Sequence, residues 1–292
     1  MQGDPVRVAD EIRTAAARLA AAGIDSARRD AEWLMSHVLR CDPGRLVIVD
    51  TLDEPHARAF REAVGKRAQR IPLQHIVGTA AFGPLELAVG PGVFIPRPET
   101  EYLLEWAAGI AGSLPPDASV VDLCSGSGAL ALGVATLVPS VRVTAVEIDD
   151  EALIWLRRNV SDAPDGVRDR VRVVAADVTD PAQIGPAIPD GSVSLVVTNP
   201  PYVPLGSEVS AEVAHDPARA VYGGADGMDV IVAMVPVIAS MLEIGGRVGI
   251  EHDDTTAQAV VDCLLAHGAF DEVVARRDLA GRPRFVTARR AR

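Results

Sequence analysis

Short apolar segments alternate with longer amphipathic stretches in the part of the chain beyond Pro116. Strands that alternate with helices fold into a mostly parallel sheet with helices on both faces. The predicted strands are residues 120–123, 141–148, 171–175, 193–198, 247–251, 272–275 and 285–288, and the predicted helices are residues 129–137, 151–160, 229–242 and 255–267. The pattern therefore predicts an α/β fold with a seven-stranded, mostly parallel, Rossmann-like sheet.

The beginning of the chain follows a different pattern. Val8, Ile12, Ala15 and Leu19 recur at helical spacing, and two further stretches before residue 70 do the same. Residues 71–93 are short apolar pieces separated by prolines and glycines, which indicates a linker that contains a β-hairpin. We expect a small helical bundle at residues 1–70, a linker at residues 71–93 and the α/β domain at residues 94–292.

The distribution of charge supports a boundary near the end of this linker. Residues 1–90 carry 12 acidic and 12 basic side chains, whereas residues 91–292 carry 28 and 16 and so account for the whole net charge of −12. Proteins that bind the backbone of DNA or RNA usually carry the opposite sign. We therefore expect no stable nucleic-acid partner.

Cysteine spacing and hydropathy bear on location. Cys41, Cys124 and Cys263 fit neither a zinc site nor a disulfide framework, which favours a reducing compartment and no metal. The first ten residues lack the apolar core of a signal peptide. The most apolar stretch, residues 230–242, contains Pro236 and is shorter than the ~20 residues of a membrane span. We expect a cytoplasmic protein with no membrane contact.

Polar residues follow four of the predicted strands at the point where each strand ends. The first strand runs into a glycine-rich loop after Asp122, and the next three end at Glu147, Asp177 and Asn199. In open α/β sheets, ligands bind outside the carboxyl ends of the strands. These residues are therefore expected to converge on one ligand.

The glycine-rich loop suggests which ligand this is. Gly126 to Ala131 has the G-x-G-x-x-A form of a dinucleotide fingerprint, and Glu147 falls near the ribose-binding position. A nicotinamide dinucleotide, S-adenosylmethionine or a mere tight turn would each fit the loop. Asp122 and Asp177 favour S-adenosylmethionine, because they would repel a pyrophosphate but suit its cationic amine and sulfonium. We expect Asp122 near the methionine amine, Glu147 at the ribose diol and Asp177 at the adenine amino group.

The sequence Asn199-Pro200-Pro201-Tyr202 after the fourth strand is the most informative motif. Two prolines fix successive φ angles and remove two backbone donors. The Asn199 side-chain oxygen and the Pro200 carbonyl are then two rigid acceptors, which suit a planar NH₂ group with its two donors. Tyr202 offers a flat ring against which a planar amide or base can pack. A proline-rich turn without function is the alternative.

This tetrapeptide is similar to that of amino methyltransferases, which act on amide or exocyclic base nitrogens. Nearly the whole chain resembles the bacterial peptide chain release factor glutamine methyltransferases, the PrmC/HemK family. The most specific segment is Ile95-Pro96-Arg97-Pro98-Glu99-Thr100-Glu101. The other matching segments are residues 72–78, 122–132, 145–147, 199–204, 216–217, 223–227, 245–246, 251–252 and 277–282.

The resemblance implies a class I S-adenosylmethionine-dependent methyltransferase domain after the helical bundle. It implies methyl transfer from S-adenosylmethionine, leaving S-adenosylhomocysteine, to the glutamine amide nitrogen of the Gly-Gly-Gln motif of peptide chain release factors. The helical bundle would help to bind the release factor, and a monomer is expected. The expected catalytic residues are Asn199, Pro200 and Tyr202, and Pro201 joins them in binding the substrate. The expected cofactor-binding residues are Asp122, Cys124, Ser125, Gly126, Ser127, Gly128, Glu147, Asp177, Val178 and Asn199.

The sequence departs from the family pattern at a few positions and leaves some roles open. Cys124 stands where the family more often has glycine, Glu147 where aspartate is common, and Asp253 where glycine is usual. Arg97 and Glu99 either border the cofactor or pair across the domain junction.

Three other functions compete with the one that the resemblance implies. A ribosomal-protein glutamine methyltransferase would share the chemistry, and a DNA adenine methyltransferase would need a flipped base and a basic surface. A non-catalytic cofactor-binding protein would not need an intact tetrapeptide.

Overall fold

The computed structural model describes residues 6–278 and 280–292 of the chain, and these fall into two compact units. The first unit contains the residues up to Thr79 together with Ser210–His215. The second unit contains Ala80–Val209 and Asp216–Arg292. The segment that follows the Asn199–Tyr202 tetrapeptide therefore contributes six residues to the first unit.

The first unit is helical. Its helices are α1 (Val8–Ala21), α2 (Ala27–Leu39), α3 (Glu54–Ala68) and α4 (Leu73–Val77), and its short antiparallel strands are β1 (Val6–Arg7) and β2 (Thr51–Leu52). The predicted apolar face of α1 is buried, which confirms the helical spacing read from the sequence. Within this unit the Glu212 carboxylate accepts hydrogen bonds from the guanidinium groups of Arg67 and Arg70, and this ion cluster ties the 210–215 segment to the end of α3.

The second unit is built on a seven-stranded sheet, as predicted. Its strands are β5 (Ser119–Leu123), β6 (Arg142–Glu147), β7 (Val171–Ala175), β8 (Val193–Thr198), β9 (Leu242–Glu251), β10 (Phe270–Arg277) and β11 (Pro283–Arg290), in the order β10-β11-β9-β8-β5-β6-β7. The five strands from β9 to β7 in this order are parallel to their neighbours, and β11 pairs antiparallel with both β9 and β10. A separate two-stranded sheet joins β3 (Thr79–Phe82) to β4 (Leu85–Ala88).

Helices cover both faces of this sheet. The long ones are α5 (Thr100–Ala111), α6 (Ala129–Leu137), α7 (Asp150–Asp162), α11 (Asp229–Met241) and α12 (Ala257–His267), and single-turn helices lie at α8 (Asp165–Arg168), α9 (Pro181–Ile184) and α10 (Ala218–Val221). Adjacent strand residues point to opposite faces. Val121 and Val196 pack with α11 and α12, whereas Val120 and Leu195 pack with α5, α6 and α7. None of the helices in the described ranges has the length and apolarity needed to cross a membrane.

The strand order places a topological switch point beside β5. The chain begins the parallel sheet at β5, continues through β6 and β7 on one side, and then returns to place β8 and β9 on the other side. The crevice at the carboxyl ends of β5 and β8 is therefore where an open α/β sheet binds its ligand.

Candidate active site

The register of the parallel strands aligns the predicted site residues. Leu123 pairs with Val146 of β6 and with Thr198 of β8, and Thr198 pairs in turn with Ile250 of β9. The residues that come directly after these four, Cys124, Glu147, Asn199 and Glu251, therefore lie along one edge of the sheet. The Thr198 hydroxyl donates a 2.7 Å hydrogen bond to the Leu123 carbonyl and links β5 to β8 beside the switch point.

The glycine-rich loop has a left-handed backbone at three positions: Cys124 (φ 59°), Gly126 (φ 54°) and Gly128 (φ 90°). A Cβ atom at Gly128 would lie 2.7 Å from Leu156 Cδ1, so packing against α7 requires glycine there. A Cβ atom at Gly126 would meet no atom of the described residues within 4 Å, so this stretch of backbone is open to a ligand. A glycine at position 124 would adopt the same left-handed angle without strain.

Asp122 is a buried carboxylate with one free acceptor. Its Oδ2 accepts a 3.1 Å hydrogen bond from the Ala131 amide, whereas its Oδ1 is buried and has no partner among the described residues. Burial raises the pKa of Asp122 to about 7. Buried acceptors are almost always satisfied in native proteins. An ammonium group would satisfy Oδ1 and stabilise the ionised carboxylate.

Glu147 is held by backbone amides. Its Oε1 accepts from the Ile148 and Asp149 amides at 2.8 and 2.9 Å, and its Oε2 accepts from the Gly126 amide at 2.8 Å. An ionised carboxylate has about four acceptor positions. One position on Oε2 is left, so Glu147 can accept one ribose hydroxyl as it stands. Binding both hydroxyls of a diol would displace one of the two amides on Oε1.

The third strand end offers a weaker set of contacts. Asp177 is half-buried, and its Oδ1 accepts from the Thr179 amide and hydroxyl at 2.9 and 2.6 Å, which leaves Oδ2 available. The Val178 side chain is buried in the apolar core, so a ligand would meet its backbone.

The two serines of the glycine-rich loop, Ser125 and Ser127, are also buried, and the Ser125 hydroxyl donates to the Asp122 carbonyl at 2.9 Å.

The tetrapeptide presents two acceptors that are not used within the described parts of the chain. The Asn199 Nδ2 group donates a 3.1 Å hydrogen bond to the Thr100 hydroxyl, but Asn199 Oδ1 and the Pro200 carbonyl accept none from these residues. Two glycines hold the backbone here. A Cβ atom at Gly223 would collide with the Pro201 carbonyl, and one at Gly227 would collide with the Tyr202 carbonyl. The close approach of these two glycines packs their backbone against the Pro201 and Tyr202 carbonyls of the tetrapeptide.

Glu251 and Thr100 belong to the site and have no assigned role in the sequence analysis. Both side chains are buried, and Glu251 Oε1 accepts from the hydroxyls of Thr100 and Tyr202, each at 3.2 Å. Burial raises the pKa of Glu251 to about 7 and also raises the pKa of Tyr202, which keeps the phenol protonated. The sequence rule that points to Asn199, a polar residue at the carboxyl end of a parallel strand, also points to Glu251, because Glu251 ends β9.

Arg97 and Glu99 form ion pairs inside the second unit. Arg97 pairs with Asp216 and stacks over the Phe94 ring, with 4.9 Å from its Cζ to the ring centroid. Glu99 lies 4.0 Å from Arg284. All of these residues belong to the second compact unit. The ion pairs that Arg97 and Glu99 form in the structure therefore lie within one unit and not across the domain junction.

Two family models match this chain. The model described as the PrmC N-terminal domain matches residues 11–78, and the model described as the methyltransferase small domain matches residues 108–219. The first match lies in the first compact unit, and the second match lies mostly in the second unit.

Curated relatives align with nearly the full length of the chain. The release factor glutamine methyltransferase of Mycolicibacterium smegmatis is 54% identical over 97% of this chain and 98% of its own. The protein of the same name from Mycobacterium tuberculosis is 48% identical over 96% of this chain and 90% of its own. That from Streptomyces coelicolor is 41% identical over 96% and 97%.

Proposed function

Because the chain belongs to the release factor glutamine methyltransferase family, we propose that it methylates the glutamine side chain of the Gly-Gly-Gln motif in peptide chain release factors. The methyl donor is S-adenosylmethionine, and the acceptor is the amide nitrogen of that glutamine. The observation that carries this proposal is a pair of acceptors, Asn199 Oδ1 and the Pro200 carbonyl, that receive no hydrogen bond from the described residues and lie near a buried acid at a switch point.

The residues at the strand ends fit the cofactor. Asp122 Oδ1 is a buried acceptor without a partner among the described residues, and the methionine amine of the cofactor would donate a charge-assisted hydrogen bond to it. The open backbone at Gly126 and the remaining acceptor of Glu147 suit the ribose, and Asp177 Oδ2 suits the adenine amino group. When bound, S-adenosylmethionine supplies an electrophilic methyl group on a sulfonium.

The tetrapeptide would hold the substrate amide. Asn199 Oδ1 and the Pro200 carbonyl each accept one N–H bond, which leaves the face of the nitrogen exposed, and the Tyr202 ring packs against the amide plane. An amide nitrogen is a poor nucleophile because its lone pair is delocalised. Rigid positioning can lower the barrier by ~7–11 kcal/mol. The two acceptors add electrostatic stabilisation as positive charge develops on the nitrogen. The carbon–sulfur bond breaks to leave S-adenosylhomocysteine, and the methylated nitrogen then releases one of its two protons to water.

We also propose how the rest of the protein serves this reaction. The helical first unit would contribute to binding the release factor, a substrate that is itself a protein. A monomer suffices because the second unit supplies every residue of the site from a single chain. The site of action would be the cytoplasm, where translation ends.

The two loop glycines give a prediction that separates cofactor binding from folding. Gly128→Ala should lower the free energy of unfolding by about 2–4 kcal/mol, because its Cβ collides with Leu156 and its φ is left-handed. Gly126→Ala adds only the backbone strain, about 1 kcal/mol, but fills the open space over the loop. Thermal unfolding should show the larger loss of stability for Gly128→Ala. Calorimetry with S-adenosylmethionine should show that Gly126→Ala loses more affinity relative to its loss of stability than Gly128→Ala does. Equal stability of the two variants would contradict the packing argument.

A competition experiment tests the proposed substrate. The protein is incubated with labelled S-adenosylmethionine and, in parallel, with purified release factor, ribosomes and duplex DNA. We expect label in the release factor alone. Label confined to a ribosomal protein would show that the acceptor is a different protein glutamine, and label in DNA would show an adenine methyltransferase. Either result would reject the proposed substrate.

A further inference from the structure

A buried hydrogen-bond chain lies directly behind the tetrapeptide. Thr100 is the first residue of α5, Glu251 is the last residue of β9, and Asn199 follows the neighbouring strand β8. These hydrogen bonds run from Asn199 Nδ2 to the Thr100 hydroxyl at 3.1 Å, and from that hydroxyl to Glu251 Oε1 at 3.2 Å. Thr100 and Glu251 are each only 3% exposed, so water does not compete for these bonds.

The direction of the hydrogen bond between Thr100 and Glu251 follows from the nature of its acceptor, a carboxyl oxygen. The Thr100 and Tyr202 hydroxyls both contact the same carboxyl oxygen, Glu251 Oε1. A carboxyl oxygen without a proton can only accept, so both hydroxyls must donate to it. Any proton that the carboxyl group carries can reside on the other oxygen, Oε2. The assignment is therefore fixed when Glu251 is ionised, and it also holds when Glu251 is protonated on Oε2.

The direction of the hydrogen bond between Asn199 and Thr100 then follows. A threonine hydroxyl has one proton, and in Thr100 this proton points to Glu251. The Thr100 oxygen can then offer only a lone pair to Asn199. The Asn199 amide must present its NH₂ group to Thr100, and its Oδ1 must point the other way. With the amide reversed, Oδ1 would face the Thr100 oxygen and two acceptors would be in contact.

We propose that Thr100 and Glu251 are positioning residues, which act through Asn199 by fixing its amide with the oxygen toward the substrate NH₂ group. The inference rests on the proposed function, since it concerns the acceptor that the glutamine amide needs. Glu251 also holds the Tyr202 phenol, so one carboxyl group orients both polar side chains of the tetrapeptide. Without this chain, Asn199 could present a donor to the substrate, and a donor repels an NH₂ group.

The test compares two variants of one side chain. Thr100→Val keeps the shape but removes the hydroxyl, and Thr100→Ser keeps the hydroxyl. We expect Thr100→Val to lower kcat for release factor methylation by about 10- to 100-fold, as misplacement of a reacting group does. Thr100→Ser should recover most of this loss. The affinity for S-adenosylmethionine, measured by calorimetry, should stay within about twofold of the parent in both variants because Asp122 and the glycine loop are unchanged.

A matched control and a second pair of variants keep the test decisive. Thr144→Val makes the same change in a buried threonine of β6 whose hydroxyl accepts from Arg172, and it should leave kcat unchanged. If Thr100→Val fails to fold, Glu251→Gln, which keeps an acceptor oxygen, is compared with Glu251→Met, which has none. Glu251→Gln should recover most of the kcat that Glu251→Met loses, because it keeps an oxygen that accepts from both hydroxyls.

Three results would overturn the inference while the proposed function stands. They are full activity of Thr100→Val, equal losses in Thr100→Val and Thr100→Ser, and a loss of S-adenosylmethionine affinity that accounts for the loss of activity. Equal activities of Glu251→Gln and Glu251→Met would do the same. A parent protein that methylates none of the three substrates in the competition experiment would instead overturn the proposed function, and this inference with it.

Discussion

Asn199→Ala is expected to abolish nearly all methyl transfer while the protein stays folded. The substitution removes Oδ1, one of the two acceptors proposed to hold the substrate NH₂ group, and it leaves the Pro200 carbonyl alone. Loss of one preorganised hydrogen-bonding group at a reacting centre typically lowers kcat by about 10²–10³-fold. Turnover of labelled S-adenosylmethionine on the release factor is the measurement.

The fold and the cofactor site provide the controls for this variant. The Asn199 side chain is half-buried and lies outside the apolar clusters of the sheet, so the midpoint of thermal unfolding should change little. Calorimetry should show that most S-adenosylmethionine binding is retained, because Asp122 and Glu147 are unchanged. Turnover within a few fold of the parent would show that Asn199 does not hold the acceptor amide.

The second large effect concerns the substrate. Replacing the glutamine of the release factor motif by glutamate should abolish its labelling. A glutamate carboxylate has no N–H donor, and its oxygens would face Asn199 Oδ1 and the Pro200 carbonyl, acceptor against acceptor. A site built to hydrogen-bond a substrate group rejects the analogue that lacks it by about 10⁴-fold or more.

The control for this substitution is a glutamine-to-glutamate change elsewhere on the release factor surface, which should leave labelling intact. Labelling of the motif glutamate at a rate comparable to glutamine would contradict the arrangement of two acceptors. It would not by itself exclude the release factor as the partner.

The sheet was predictable because its core strands and helices carry strong local patterns. Residues 171–175, 193–198 and 129–137 have the same bounds in the structure as in the prediction. Strand β9 begins at Leu242, earlier than predicted. A register shift between Val193 and Leu195 and a left-handed Gly245 interrupt the pattern there, so the sequence reads as two pieces.

Helix α5 was missed, and with it Thr100. Leu103, Leu104, Ala107 and Ala111 are its buried apolar face, and this helical spacing could have been recognised. Pro96 and Pro98, just before it, interrupt the helical pattern and favour an irregular segment.

Other features could not be read from the sequence, because they depend on contacts between distant residues. The bond from Thr100 to Glu251 joins positions 151 residues apart. The ion pairs of Glu212 with Arg67 and Arg70 also join distant positions, and they lie within the first unit, to which residues 210–215 belong. The three amides on Glu147, which leave it one acceptor position, follow from the local path of the backbone after β6. A carboxylate at that position predicts a ribose contact, but only the structure shows how much of it is free.

The central claim is that two acceptors in the tetrapeptide select a glutamine amide nitrogen for methylation. Its most direct test is to digest the release factor after reaction with unlabelled S-adenosylmethionine and to locate the added methyl group by tandem mass spectrometry. We predict a single methyl group on the side-chain nitrogen of the glutamine in the Gly-Gly-Gln motif, and a yield lower by about 100-fold or more when Asn199→Ala replaces the parent. A methyl group on a carboxylate, a lysine or a backbone atom, or an equal yield with Asn199→Ala, would contradict the claim.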